Sequence, residues 1–129
     1  MTDPSSAQSR ALLIVDHGTR SAEANARLAS FAEQVAAARP EWRVAHAHME
    51  LGEPDMSTAI DALVSAGAIE LHVHLHFLGA GFHVRETIPK LVEAARARHS
   101  HVDIQVFDPI GDDPRLVEIV VDRIDRAGR

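Results

Sequence analysis

The chain contains no cysteine. That excludes disulfides, thiolate metal sites and cysteine-ligated iron–sulfur clusters from it. No apolar run reaches membrane-spanning length, so no membrane partner is expected. The first residues, MTDPSSAQS, are polar and lack the apolar centre of an export signal. A frayed tail over residues 1–9, one domain over 10–129 and a cytoplasmic location are the expectations that follow. No linker, repeat or low-complexity segment interrupts the sequence. No glycine-rich loop ending in Lys-Ser or Lys-Thr is present, which argues against nucleotide hydrolysis. Positive charge is scarce: 13 Lys and Arg against 19 Asp and Glu leave a formal net charge of −6, which argues against a nucleic-acid partner.

What the chain does have is a core and many imidazoles. Its 129 residues are 46% hydrophobic and 25% charged, an ordinary globular balance, and nine of them are histidine. Ala11 to Asp16 is a short continuous apolar run, the mark of a parallel strand covered on both faces. His17-Gly18-Thr19-Arg20 follows as a loop, and Ser21 is placed to cap a helix from Ala22 to Ala38 with Leu28, Phe31, Val35 and Ala38 on its apolar face. Trp42 to His48 reads as a second strand, with Asp55 or Ser57 capping a helix that ends near Ala66 and is closed by Gly67. Ile69 to Phe77 is the third strand. Gly79 and Gly81 break it and allow backbone angles other residues resist. His83 is expected on the loop there, ahead of a helix from Val84 to Arg98 in which Pro89 falls within the first turns. Val102 to Phe107 is the fourth strand. Asp113-Pro114 opens a last helix whose Leu116, Ile119, Val120 and Ile124 form an expected buried stripe.

Four strand–helix units with short connections predict an α/β fold: a small doubly wound, four-stranded parallel sheet with helices on both faces. In the commonest small order, 2-1-3-4, the switch point lies between the first and third strands. His17 follows the first strand, Glu50 the second and His83 the third, all at the carboxyl edge. Two neutral imidazoles and a carboxylate at one cleft can bind a borderline divalent metal, and they can accept protons near neutral pH. A reaction that needs both is metal insertion into a tetrapyrrole, where two pyrrole N–H protons leave as the metal enters. Four strands enclose only half of so large a ligand, so a symmetric dimer is expected.

The segments VDHGTR, AHMELGEP and GFHVRETIP resemble, in order and spacing, the sirohydrochlorin chelatases of the CbiX/SirB type. The similarity runs from about Ala11 to Arg126 and includes the closing DPIGDDPRL; HMEL followed by EP is especially similar to the plant ferrochelatases of this family. The resemblance implies a chelatase-like half-domain that inserts Fe²⁺, Co²⁺ or, as in some archaea, Ni²⁺ into sirohydrochlorin, for sirohaem or cobalamin synthesis. The metal is then substrate, with no tightly bound cofactor. His17 and His83 match the catalytic, metal-handling histidines and Glu50 the acidic residue beside them. Short members are homodimers and longer ones fuse two halves. Sirohydrochlorin is a polyanion, which makes Arg20, Arg85 and Lys90 candidates for its carboxylates and Phe82 a candidate for its ring face. A metal- or tetrapyrrole-binding carrier with the same fold is the alternative. The chain departs from the plant enzymes in having no cysteine-bound cluster. Its loop 79–82 reads Gly-Ala-Gly-Phe, and His72, His74 and His76 stand where relatives are usually apolar. With period 2 those three share one strand face, either as hydrogen-bonded core or interface groups or as a second metal site. His46 and His48 admit the same two readings, and His48 could also support the Glu50 end. His99 and His101, at a helix–strand junction, are expected to be solvated.

Overall fold

The computed structural model describes residues 8–128, the side chain of His83 apart. The elements follow the predicted alternation: β1 (Arg10–Asp16), α1 (Ala22–Ala38), β2 (Arg43–His48), α2 (Met56–Ser65), β3 (Glu70–Leu75), α3 (Phe82–Arg98), β4 (Asp103–Val106), a short 3₁₀ turn (Ile110–Asp112) and α4 (Arg115–Ala127). All pairings are parallel and the order is β2-β1-β3-β4, with Leu13 facing Ala45 on one side and Val73 on the other. The expected tail divides. Residues 1–7 lie outside the described residues, whereas the Gln8 amide donates to the Glu41 carbonyl and the Ser9 carbonyl accepts from Ile69 and Glu70.

The two sheet faces are covered unequally. Ala11, Leu13 and Val15 of β1 and Leu71, Val73 and Leu75 of β3 pack with Met56, Ile60 and Leu63 of α2 and Val84, Ile88 and Val92 of α3 in the larger core. On the other face Ile14, Leu28 and Ala32 form a small cluster under α1, edged by Leu12, Phe31, Val35 and Val44. β3 therefore alternates strictly: its leucines and valine are buried, and His72, His74 and His76 are half-buried on the α1 side.

Helix starts follow side-chain chemistry where a side chain is available. Ser21 accepts from the Ala24 amide at 3.1 Å and Asp55 from the Thr58 amide at 2.7 Å, as a Ser and an Asp before apolar periodicity predict. Four expectations are corrected. α3 begins at Phe82 on a Gly81 cap that offers no side-chain acceptor, so His83 stands inside the first helical turn and Pro89 about two turns in. Gly79 and Gly81 do not use left-handed angles; the positive-φ glycines among the described residues are Gly18 and Gly67. His99 is half-buried, with Nε2 2.6 Å from Asp61 Oδ1, because α3 ends beside α2. The α4 stripe is not buried: no residue of α4 is, and Ile119, Val120 and Ile124 are exposed. Periodicity reveals that a helix has an apolar face but cannot say what meets it.

Candidate metal-handling site

The carboxyl edge of β1 and β2 is stitched into one unit by the backbone. The Met49 amide donates to the Asp16 carbonyl at 2.9 Å and the Glu50 amide to the His17 carbonyl at 3.0 Å, so the two loops run side by side beyond the strands. Gly18, at φ +86°, makes this possible: a Cβ there would sit 1.8 Å from the Glu50 carbonyl oxygen. His17 and Glu50 are thus neighbours through their backbones, and both side chains are exposed.

At the strand ends beside them lies a part-buried pair. His48 is 1% exposed, and its Nδ1 donates to Asp16 Oδ1 at 2.6 Å. Asp16 immediately precedes His17 and His48 precedes Met49-Glu50, so this charge-assisted bond holds both loop roots at a fixed separation. His46, whose ring lies 5.6 Å from that of His48, has its pKa lowered first by burial and then by His48, against the opposing pull of Asp16 and Glu33.

The remainder of the loop is fixed from α1. The Thr19 amide donates to Asn25 Oδ1 at 3.0 Å, Asn25 Nδ2 donates back to the Thr19 carbonyl at 2.8 Å, and the Ser21 amide donates to Thr19 Oγ1 at 3.0 Å. Across the switch point, the His17 ring rests on Phe77, the residue two beyond the end of β3, with centroids 4.8 Å apart and planes tilted by 38°. Phe77 is itself buried, so the imidazole leans on a fixed wall.

Of the sequence-derived site residues, His17 and Glu50 are brought together. His83 lies at the carboxyl edge through its backbone in the first turn of α3, and its side chain is outside the described residues. Among the described residues no three His, Asp or Glu side chains are grouped to hold one metal ion. Arg20 is exposed in the β1 loop and Phe82 is 73% exposed at the start of α3. Arg85 lines a hollow of about 570 Å³ between α3 and the chain beyond β4, to which His17 does not contribute, and Lys90 lies exposed further along α3. The three strand histidines separate into two environments. His72 Nε2 is 3.1 Å from Glu70 Oε2, while His74 Nε2 is 3.1 Å from His76 Nδ1. Asp16 and Phe77 went unassigned on sequence grounds. The only trace of either was its place at a strand end beside a candidate residue.

A doubly wound parallel sheet whose carboxyl edge gathers a solvent-facing imidazole and a carboxylate defines the class: an α/β domain with its ligand-handling groups at the topological switch point. Sequence comparison makes this particular. The family model of CbiX matches residues 11–127, and the chain belongs to that family. It is 34% identical over 113 residues to the chloroplastic sirohydrochlorin ferrochelatase of Arabidopsis thaliana, covering 88% of this chain and 50% of that protein. It is 30% identical to the sirohydrochlorin cobaltochelatase of Methanopyrus kandleri, covering 91% of this chain and 96% of that one. The structure of SirB from Bacillus subtilis with Fe³⁺ superposes with a TM-score of 0.81 at 30% identity, over 93% of this chain and 48% of that one. The chain thus spans about half the length of the plant relative and nearly all of the archaeal one. No helix of the described residues is long and apolar enough to cross a membrane.

Proposed function

We propose that this chain is a sirohydrochlorin chelatase, inserting Fe²⁺ or Co²⁺ into the macrocycle as a homodimer in the cytoplasm. The observation that carries this reading is the stitching of His17 to Glu50 by Gly18 and the His17–Glu50 backbone bond, at the edge of the β1–β3 crevice. His17 and His83 would hold the incoming ion through their ring-nitrogen lone pairs; as the ion passes to the pyrrole nitrogens those lone pairs are freed, and each takes up one of the two protons that the pyrroles release. Glu50 offsets positive charge at the same edge and offers a further acceptor. Arg20, Arg85 and Lys90 receive the carboxylates of the substrate and Phe82 lies against its ring. Support for the dimer is geometric: one sheet presents one crevice wall, and a flat macrocycle needs two.

The test is anaerobic metal insertion into sirohydrochlorin followed by absorbance, with Fe²⁺, Co²⁺ and Ni²⁺ compared. His17→Ala is expected to lower the rate by about 100-fold or more, the usual scale for a lost acid–base group. The double variant His17→Ala with His83→Ala is expected to be inactive; wild-type turnover in that protein would refute the mechanism. Tight metal binding by the wild-type chain without any turnover would favour a carrier instead.

A further inference from the structure

Two surfaces of this chain lack the cover their composition calls for. On α4, Val117, Ile119, Val120, Val121 and Ile124 are between 47% and 66% exposed. Val117, Val120, Val121 and Ile124 recur at i, i+3, i+4 and i+7, which is one helix face. The second surface is the α1-side sheet face beside the C-terminal end of α1. There His72 stacks on Phe107 with centroids 5.2 Å apart, and the Trp42 ring lies 5.5 Å from that of His72, tilted by 59°. With Leu12, Val35 and Val44 they line an apolar hollow of about 280 Å³, and Phe107 is 48% exposed.

We propose that α4 of one protomer packs across this face of a second copy, over His72 and Phe107, and reciprocally. This rests on the homodimer proposed above and specifies its contact. Donor helix and acceptor face are carried by the same chain, so a two-fold arrangement covers both at once and closes. The size is adequate. Four aliphatic side chains at these exposures leave on the order of 400 Å² of apolar helix surface, and two helices on two matching faces remove roughly 1,600 Å², the standard size of a stable interface. A lipid surface fits less well. The polar positions of α4 hold three arginines and three acids (Arg115, Glu118, Asp122, Arg123, Asp125 and Arg126), not the cationic face that membrane-surface helices use.

The direction in which α4 leaves the domain is held locally. The Gly111 amide donates to the Phe77 carbonyl, and a Cβ on Gly111 would lie 1.6 Å from the Leu78 carbonyl oxygen, so the 3₁₀ turn is pressed onto the β3–α3 loop. Asp113 then accepts from the Arg115 amide and guanidinium, which holds its carboxyl down at about 2 and fixes the first residues of the helix. The clamped loop includes Phe77, the wall behind His17. Docking of α4 on a partner is in this way connected to the site.

A chain without cysteine makes the test clean. Wild-type protein is expected to sediment as a dimer at micromolar concentration, and Val120→Asp with Val121→Asp as a monomer with far-ultraviolet dichroism retained. Single-cysteine proteins Val121→Cys and Phe107→Cys, one carrying a size tag, are mixed and oxidised, with Ser65→Cys at the far end of α2 as the control for random capture. A mixed disulfide well above that control supports the exchange whether or not the aspartate variant folds. A monomeric wild type overturns both the interface and the homodimer. A dimer indifferent to the α4 substitutions, or a Val121–Phe107 mixed disulfide no more abundant than the Ser65→Cys control, overturns this interface alone. Insertion activity is read separately, on wild type and His17→Ala, so loss of the chelatase reading is distinguishable from either result.

Discussion

Gly18 shows how much one missing methyl group decides at the residue scale. Its φ of +86° is costly for any L side chain, and the Glu50 carbonyl occupies the place a Cβ would take. Gly18→Ala must push the β1 and β2 loops apart. It is expected to cost about 3 kcal/mol in thermal unfolding and to lower metal insertion at least about ten-fold, because His17 and Glu50 would separate. Gly79→Ala is the control: nothing lies within 4 Å of its added Cβ and its φ is outside the left-handed region, so its stability should move by less than about 0.5 kcal/mol. A Gly18→Ala melt equal to that of Gly79→Ala would contradict the account. Gly18 was legible in sequence only as loop geometry, and its partner was not legible at all. Glu50 is 32 positions away, and the close approach is made by a backbone carbonyl that any residue would supply. The Asp16–His48 pair was hidden for the same reason: sequence places each at a strand end but does not measure the 2.6 Å between them.

At the scale of elements, legibility tracks how local the determining chemistry is. The Ser21 and Asp55 caps were readable because donor and acceptor lie three residues apart. The start of α3 was misread by two residues because Gly81 supplies no acceptor to mark it. The four strands were readable from apolar runs, although β3 alternates with histidine, and the α4 stripe was readable as a stripe while its partner was not. Asp55 allows a quantitative check. It caps α2 directly after the loop that carries Glu50, and the Thr58 amide donating to it pulls its carboxyl below the ordinary 3.8. Asp55→Ala is expected to cost about 1 kcal/mol at pH 7, and Asp55→Asn much less, since the amide oxygen still accepts. The depressed folded-state value means the cap's charge contribution is present above 3.8 and fades as pH falls through the folded value. The two variants should therefore be compared at neutral pH, by chemical denaturation.

For the whole molecule the strand order was legible because short connections and right-handed crossovers leave few alternatives. The uneven cover of the two faces was not, since it depends on where α1 and α4 lie. That unevenness has a consequence in acid. His74 sits on the sparsely covered face with its pKa lowered from 6.5, first by burial and then by the neighbouring His76; Asp108, Asp112, Asp113 and Arg115 line the hollow it faces. His46 at the other edge is lowered likewise, by burial first. A histidine depressed in the folded state is neutral in both states above 6.5 and adds no pH dependence there. Below 6.5 the unfolded chain takes up its proton while the folded chain resists, so stability falls until the folded value is passed. The melting temperature is expected to be flat from pH 8 to 7 and to drop by a few degrees between pH 6.5 and 5. His74→Gln keeps a hydrogen-bonding side chain without a titrating group and should flatten that drop. If α4 of a second copy covers this face, His74 is drier in the dimer than in the free chain. The acid drop should then be steeper for wild type than for Val120→Asp with Val121→Asp, and sedimentation at pH 5.5 should show wild type shifting toward monomer. Identical melting profiles for the dimeric and monomeric proteins across pH 5 to 8 would mean that His74 never meets the partner.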